Sequence, residues 1–188
     1  MQCLTKLTLF RYGMFSTLMV VAASAHAQEV PQPSPEHKML AKEVGVWDAD
    51  VSMWLKPDAE PMKSKAVETN ALLGSMWLAS KFEGDFGGEK FTGHGQNGYD
   101  PIKKKYVGTW IDSMSPFLMV LEGDFDEKAK TLTMTGAGID HETGQECTMK
   151  MVTHYKSDNS KVFEMFKQAE GDKDEWQKTM QISYTRRK

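Results

Sequence analysis

From Val46 to Arg187 the polarity of the chain alternates with a period of two, the signature of strands with one buried face. Trp47, Ala49, Val51, Met53 and Leu55 fall on one face of a first segment, with Asp48, Asp50 and Ser52 on the other. Lys56-Pro57-Asp58 closes it, because proline cannot continue a ladder. Lys63 to Leu73 and Met76 to Phe86 follow, joined by Gly74-Ser75, and Lys90 to Tyr99 comes after Gly87-Gly88. Tyr99-Asp100-Pro101 and the basic tip Lys103-Lys104-Lys105 make the next turn. Beyond it Tyr106, Gly108, Trp110 and Asp112 alternate with Lys105, Val107, Thr109 and Ile111. Phe117 to Phe125, Thr131 to Ile139, Glu146 to Lys156, Ser160 to Gln168 and Glu175 to Arg187 complete the set, each set off by a short polar turn. The pattern predicts about ten strands.

Short connections pair sequential strands antiparallel, so the expected topology is a meander. An open meander of that length exposes two edges, whereas a closed one exposes none. The expected fold class is therefore all-β: an antiparallel meander closed into a barrel, apolar side inward, with a two-sheet sandwich as the structural rival. One helix precedes it. Ser34 supplies the N-cap, Pro35 the first helical position, and Met39, Leu40 and Val44 an apolar stripe over about three turns, ending at Gly45.

The first 27 residues change the picture of location. Lys6 and Arg11 precede the apolar run Gly13 to Ala23, and Ala25-His26-Ala27 has the small-x-small form of a cleavage site. The run is too short to span a bilayer. The expected organisation is a signal peptide over 1–27, a Pro-rich tether over 28–35 and one barrel domain over 36–188, exported to the periplasm or secreted after cleavage near Ala27. The whole chain carries a formal net charge of −3, and its lysines are scattered, which argues against nucleic acid as a partner. Of two cysteines only Cys147 lies beyond the leader, so no disulfide within the exported domain is expected. Only Met1, Met14 and Met19 of the 14 methionines lie within the leader.

Several motifs follow a known pattern: Pro35-Glu36-His37, Gly45-Val46-Trp47, Glu83-Gly84-Asp85-Phe86, Gly98-Tyr99-Asp100-Pro101, the run from Lys104 to Met114, and Tyr184-Thr185-Arg186. Across nearly the whole exported chain the sequence resembles the bacterial family catalogued as domain of unknown function 1579. The Gly45-x-Trp47 start of the first strand also resembles the lipocalin and calycin barrels. The resemblance implies a barrel and brings no reaction with it.

A small barrel can enclose one ligand. The face carrying Trp47, Met53, Tyr106 and Trp110 is expected to look inward, with Phe117, Met119, Leu121 and Met134. Met149, Met151, Met180 and Ile182 extend it. Methionine is flexible and polarizable, as suits an irregular apolar ligand or an irregular core. Asp112 and Arg186, the latter on the Tyr184 face, are candidates for a pair that orients a ligand carboxylate or hydroxyl, with Glu83 as another partner for Arg186. The plainer reading makes Asp112 a turn cap and leaves Arg186 loose at the terminus. The expected ligand-binding set is thus Trp47, Met53, Tyr106, Trp110, Asp112, Met119, Met149, Met151, Tyr184 and Arg186.

No resident cofactor or metal is expected. Haem through His94 is one option, since Gly93 and Gly95 leave bare backbone for a flat ring. Copper(I) is another, because Cys147, Met149 and Met151 share a face and offer thiolate and thioether. Positions two apart on a strand lie roughly 6.6–7 Å apart, so these side chains would have to converge. No nucleophile elbow, phosphate loop or HExxH spacing occurs. The function expected is an exported barrel holding a small apolar or amphipathic molecule without catalysing its conversion. The alternatives are an interaction module with a filled core, or a barrel enzyme of cyclase or isomerase type.

Overall fold

The one helix starts at the expected residue and stops a turn early. The computed structural model describes residues 31–57, 59–140, 143–169 and 175–188, so the leader and the start of the tether lie outside the described residues. α1 spans Pro35–Ala41. The Ser34 backbone N–H donates to His37 Nδ1 at 3.1 Å, and the Ser34 hydroxyl lies 2.8 Å from the same nitrogen. His37 thus takes the part that Glu or Gln plays in a capping box. Beyond Ala41 the bonds tighten to three-residue spacing, Glu43 N–H to Leu40 O at 2.9 Å and Val44 N–H to Ala41 O at 3.3 Å. That tightening turns the Glu43 side chain away from solvent, where it is buried.

Ten strands follow: β1 (Gly45–Met53), β2 (Met62–Leu73), β3 (Trp77–Phe86), β4 (Glu89–Asp100), β5 (Lys105–Asp112), β6 (Ser115–Asp126), β7 (Thr131–Ile139), β8 (Glu146–Ser157), β9 (Ser160–Ala169) and β10 (Gln177–Arg186). Each pairs antiparallel with its sequence neighbours, and β1 pairs with β10 from Trp47↔Arg186 to Met53↔Met180. The sheet is a closed barrel and not a sandwich, so the described strands leave no open edge. β1 ends at Met53, and Leu55, expected inside, is exposed in the loop beyond it.

The meander gives the barrel two unlike ends. α1, the β8–β9 turn and the end of β10 lie at one, with Leu40 of α1 only 1% exposed and packed among Leu78, Tyr106, Leu121, Leu132 and Met134. A second apolar cluster, Trp47, Ala49, Val51, Ala66, Phe82, Ile182 and Tyr184, fills the middle of the wall made by β1, β2, β3 and β10. The far end, where β1 stops and β10 starts, has no helix over it among the described residues. Among those residues no helix is long and apolar enough to cross a membrane.

Candidate functional site

Register, which spacing along the chain does not reveal, assembles a row of methionines. Met62, Met53, Met180, Met165, Met151 and Met134 face one another in turn on β2, β1, β10, β9, β8 and β7. Met180 and Met151 pack against the two apolar clusters, which places the row on the inner wall. Met134 is buried, Met151, Met165, Met180 and Met53 are half-buried, and Met62 is exposed. The row therefore climbs from exposed side chains at the far end to a buried one in the interior. Trp110, Met119 and Phe163, also on the inner face, are half-buried with it. Part-exposed inward side chains of sulfur and aromatic type thus line the far mouth of the barrel.

Trp110 is held at that mouth from two sides. Its Nε1–H donates to Asp112 Oδ2 at 3.0 Å, and Asp112 Oδ1 accepts the Met114 N–H at 2.9 Å. Asp112 therefore caps the β5–β6 turn while it orients the indole, and it makes no pair with Arg186. The ring lies across β4, where a Cβ on Gly93 would stand 2.2 Å from Trp110 Cζ2. The bare backbone that made a flat cofactor conceivable is covered by the protein's own indole. His94 is exposed on the outer wall, across from Ile111 and Lys81. Phe117, expected inside, is 52% exposed at the rim beside the β5–β6 turn.

The helix end holds what the sequence reading missed, a buried polar network. Lys161 of β9 is 4% exposed, and its Nζ binds Glu43 Oε2 and, at 3.0 Å, Glu68 Oε1. Tyr155 donates to Glu43 Oε1, Tyr184 to Glu68 Oε2 at 2.9 Å, and Asn70 Nδ2 to Glu68 Oε1 at 2.8 Å. The ammonium also sits 4.9 Å from the Trp47 ring centre and 4.6 Å from that of Tyr184. Burial alone would pull the Lys161 pKa down, and the two carboxylates outweigh it and hold it above the ordinary value. Burial, together with the same carboxylates, drives the Tyr155 and Tyr184 hydroxyls well above theirs. Among the described residues Asn70 Oδ1 is buried without a hydrogen-bond partner. Lys161, Tyr155 and Tyr184 thus keep their protons near neutral pH, and the network ties the Lys42–Val44 segment to the barrel wall.

Arg186 completes that attachment. Its Nε donates to Asp158 O at 2.9 Å, its two terminal nitrogens donate to the Val44 and Lys42 carbonyls, and the guanidinium lies 4.1 Å from the Trp47 ring centre. It neither pairs with Asp112 or Glu83 nor hangs loose. The expected ligand-binding set divides accordingly. Met53, Trp110, Asp112 and Met119 lie toward the mouth, Met151 stands midway along β8, and Met149, nearer the far end than Met151, is buried with Cys147. Trp47, Tyr106, Tyr184 and Arg186 belong to the closed end, where burial pushes the Tyr106 hydroxyl up to about 12. Among the described residues no three His, Cys, Asp or Glu side chains gather as a metal site.

The profile of a family described as "Protein of unknown function (DUF1579)" matches residues 32–186. Among the curated proteins none matches. The crystal structure of Rv2717c from M. tuberculosis superposes with a TM-score of 0.61 at 10% identity, covering 84% of this chain and 100% of that one. The S-type phycobiliprotein lyase CPES from Guillardia theta superposes with a TM-score of 0.55 at 10% identity, covering 80% of this chain and 92% of that one. At such identity both likenesses are of fold alone.

Proposed function

Since the chain belongs to the DUF1579 family, which carries no assigned reaction, we propose from the site itself that it is a binding barrel whose far end holds a small apolar or amphipathic molecule. One observation carries the reading: the in-register methionine row stays half-buried at the mouth while the interior above it is closed. A core that only filled space would bury those side chains, since protein interiors close-pack. Thioethers on flexible stems adapt to an irregular apolar guest. The guest enters apolar part first and leaves its polar part at the rim. The leader is proposed to direct export and to be removed near Ala27, leaving a tether before the barrel; N-terminal sequencing of exported protein should begin at Gln28.

Native mass spectrometry of gently purified protein tests the reading and should show an adduct that extraction removes. Met165→Glu, which puts charge in the row, should abolish it. A bare mass in every preparation, with no quenching of Trp110 by added apolar probes, would overturn it. Turnover of a bound compound that Asp112→Ala or Tyr106→Phe destroyed at unchanged Tm would make the barrel an enzyme instead.

A second reading has its own observation. Ile111, Met114, Phe117, Leu118 and Val120 are each at least half exposed around the β5–β6 hairpin, and Leu118 reaches 62%. An apolar patch of this kind marks an interaction surface. Under that reading the chain is an interaction module, and Leu118→Lys with Val120→Lys abolishes partner capture while leaving small-molecule binding intact.

A further inference from the structure

Two sulfur side chains meet beside a glycine that a third side chain approaches. Gly138 on β7 stands opposite Cys147 on β8, and Cys147 Sγ lies 3.5 Å from Met149 Sδ. A Cβ built on Gly138 would stand 2.4 Å from Met149 Cγ, 3.4 Å from its Sδ and 3.6 Å from Met119 Cε. The missing side chain is what admits Met149, while Met119 Cε lies at ordinary contact distance. The convergence that spacing along one strand left open is therefore made between Cys147 and Met149, and Met119 of β6 reaches the same glycine with its methyl carbon. Met151 faces Met134 and Met165 in the row instead. Cys147 and Met149 are both buried.

We propose that Cys147, Met149 and Met119 form a binding site for a soft monovalent cation of the Cu(I) class, a role separate from the binding of an organic guest. Thiolate with thioether is the donor set that Cu(I) prefers. Charge selects in the same direction. One thiolate and one monovalent cation make a neutral unit that apolar surroundings can bury, whereas a divalent ion there would leave an uncompensated charge. Cys147 is a free thiol buried at the site. On binding the S–H bond breaks, a sulfur–copper bond forms and the proton leaves to solvent. Copper keeps its oxidation state, so no electron acceptor is involved. The nearby cation, Lys167 Nζ, is bound to Asp140 at 2.9 Å and does not replace the metal.

The test is anaerobic titration of the reduced protein against Cu(I) buffered by bicinchoninate. It should withdraw one equivalent of copper and release one proton, and Cys147→Ser should weaken binding at least about a hundredfold, Met149→Leu about tenfold. Met149→Leu is close in volume, so it carries the test if the serine variant misfolds. In protein labelled at the methionine methyl carbons, Ag(I) should shift the Met149 and Met119 signals and leave those of Met53, Met165 and Met180 in place. No withdrawal from bicinchoninate, equal affinity in the Cys147 and Met149 variants, or silver shifts confined to the methionine row would each overturn the assignment.

Discussion

Lys161 shows how much a single interior charge can decide. It is the shared cation of two carboxylates that strands and loop bring together from positions 43 and 68. Removing one partner of a buried ionic group strands the others, so Lys161→Met is expected to cost about 3–5 kcal/mol, read as a lowered urea midpoint. Glu164 offers a pH-dependent case. Burial raises its pKa, and hydrogen bonds from Lys178 and His154 outweigh that, holding it below the ordinary 4.5. A lowered folded-state value means stability present above 4.5 and lost as pH falls through the lower value. Glu164→Gln should therefore be less stable than the unaltered protein at pH 7, with the gap closing below pH 4.5. Neither site was legible beforehand. Glu43, Glu68 and Lys161 look like surface residues in sequence, and the only trace was polar Glu68 and Asn70 on the Ala66 face of β2.

At the level of elements, α1 is too short to be stable alone and is held by what it covers. Leu40 enters the apolar cluster under it, so Leu40→Ala should cost about 2–5 kcal/mol by thermal or urea denaturation. Arg186→Met removes the donors to the Lys42 and Val44 carbonyls. Hydrogen exchange over Lys42–Gly45 should then rise while β5 to β8 keep their protection. The strands themselves were legible because period-two alternation and polar turns are local signals. The helix end was not, since the tightening after Ala41 serves a contact between Glu43 and Lys161, 118 positions apart.

For the molecule as a whole, closure is the property on which the site depends, and it rests on β1 meeting β10. A chain truncated before Gln177 would expose two edges and should elute as aggregate in size-exclusion chromatography rather than as a smaller folded barrel. Alternation and turn chemistry, both properties of neighbouring residues, determined ten antiparallel strands, one capped helix and an apolar inner face. Tertiary structure alone decided which positions meet across the barrel: the methionine row, the polar network at the helix end and the approach of Met119 to Met149 over Gly138. Each depends on strand register and closure, and a one-residue slip would turn every one of those side chains to the opposite face.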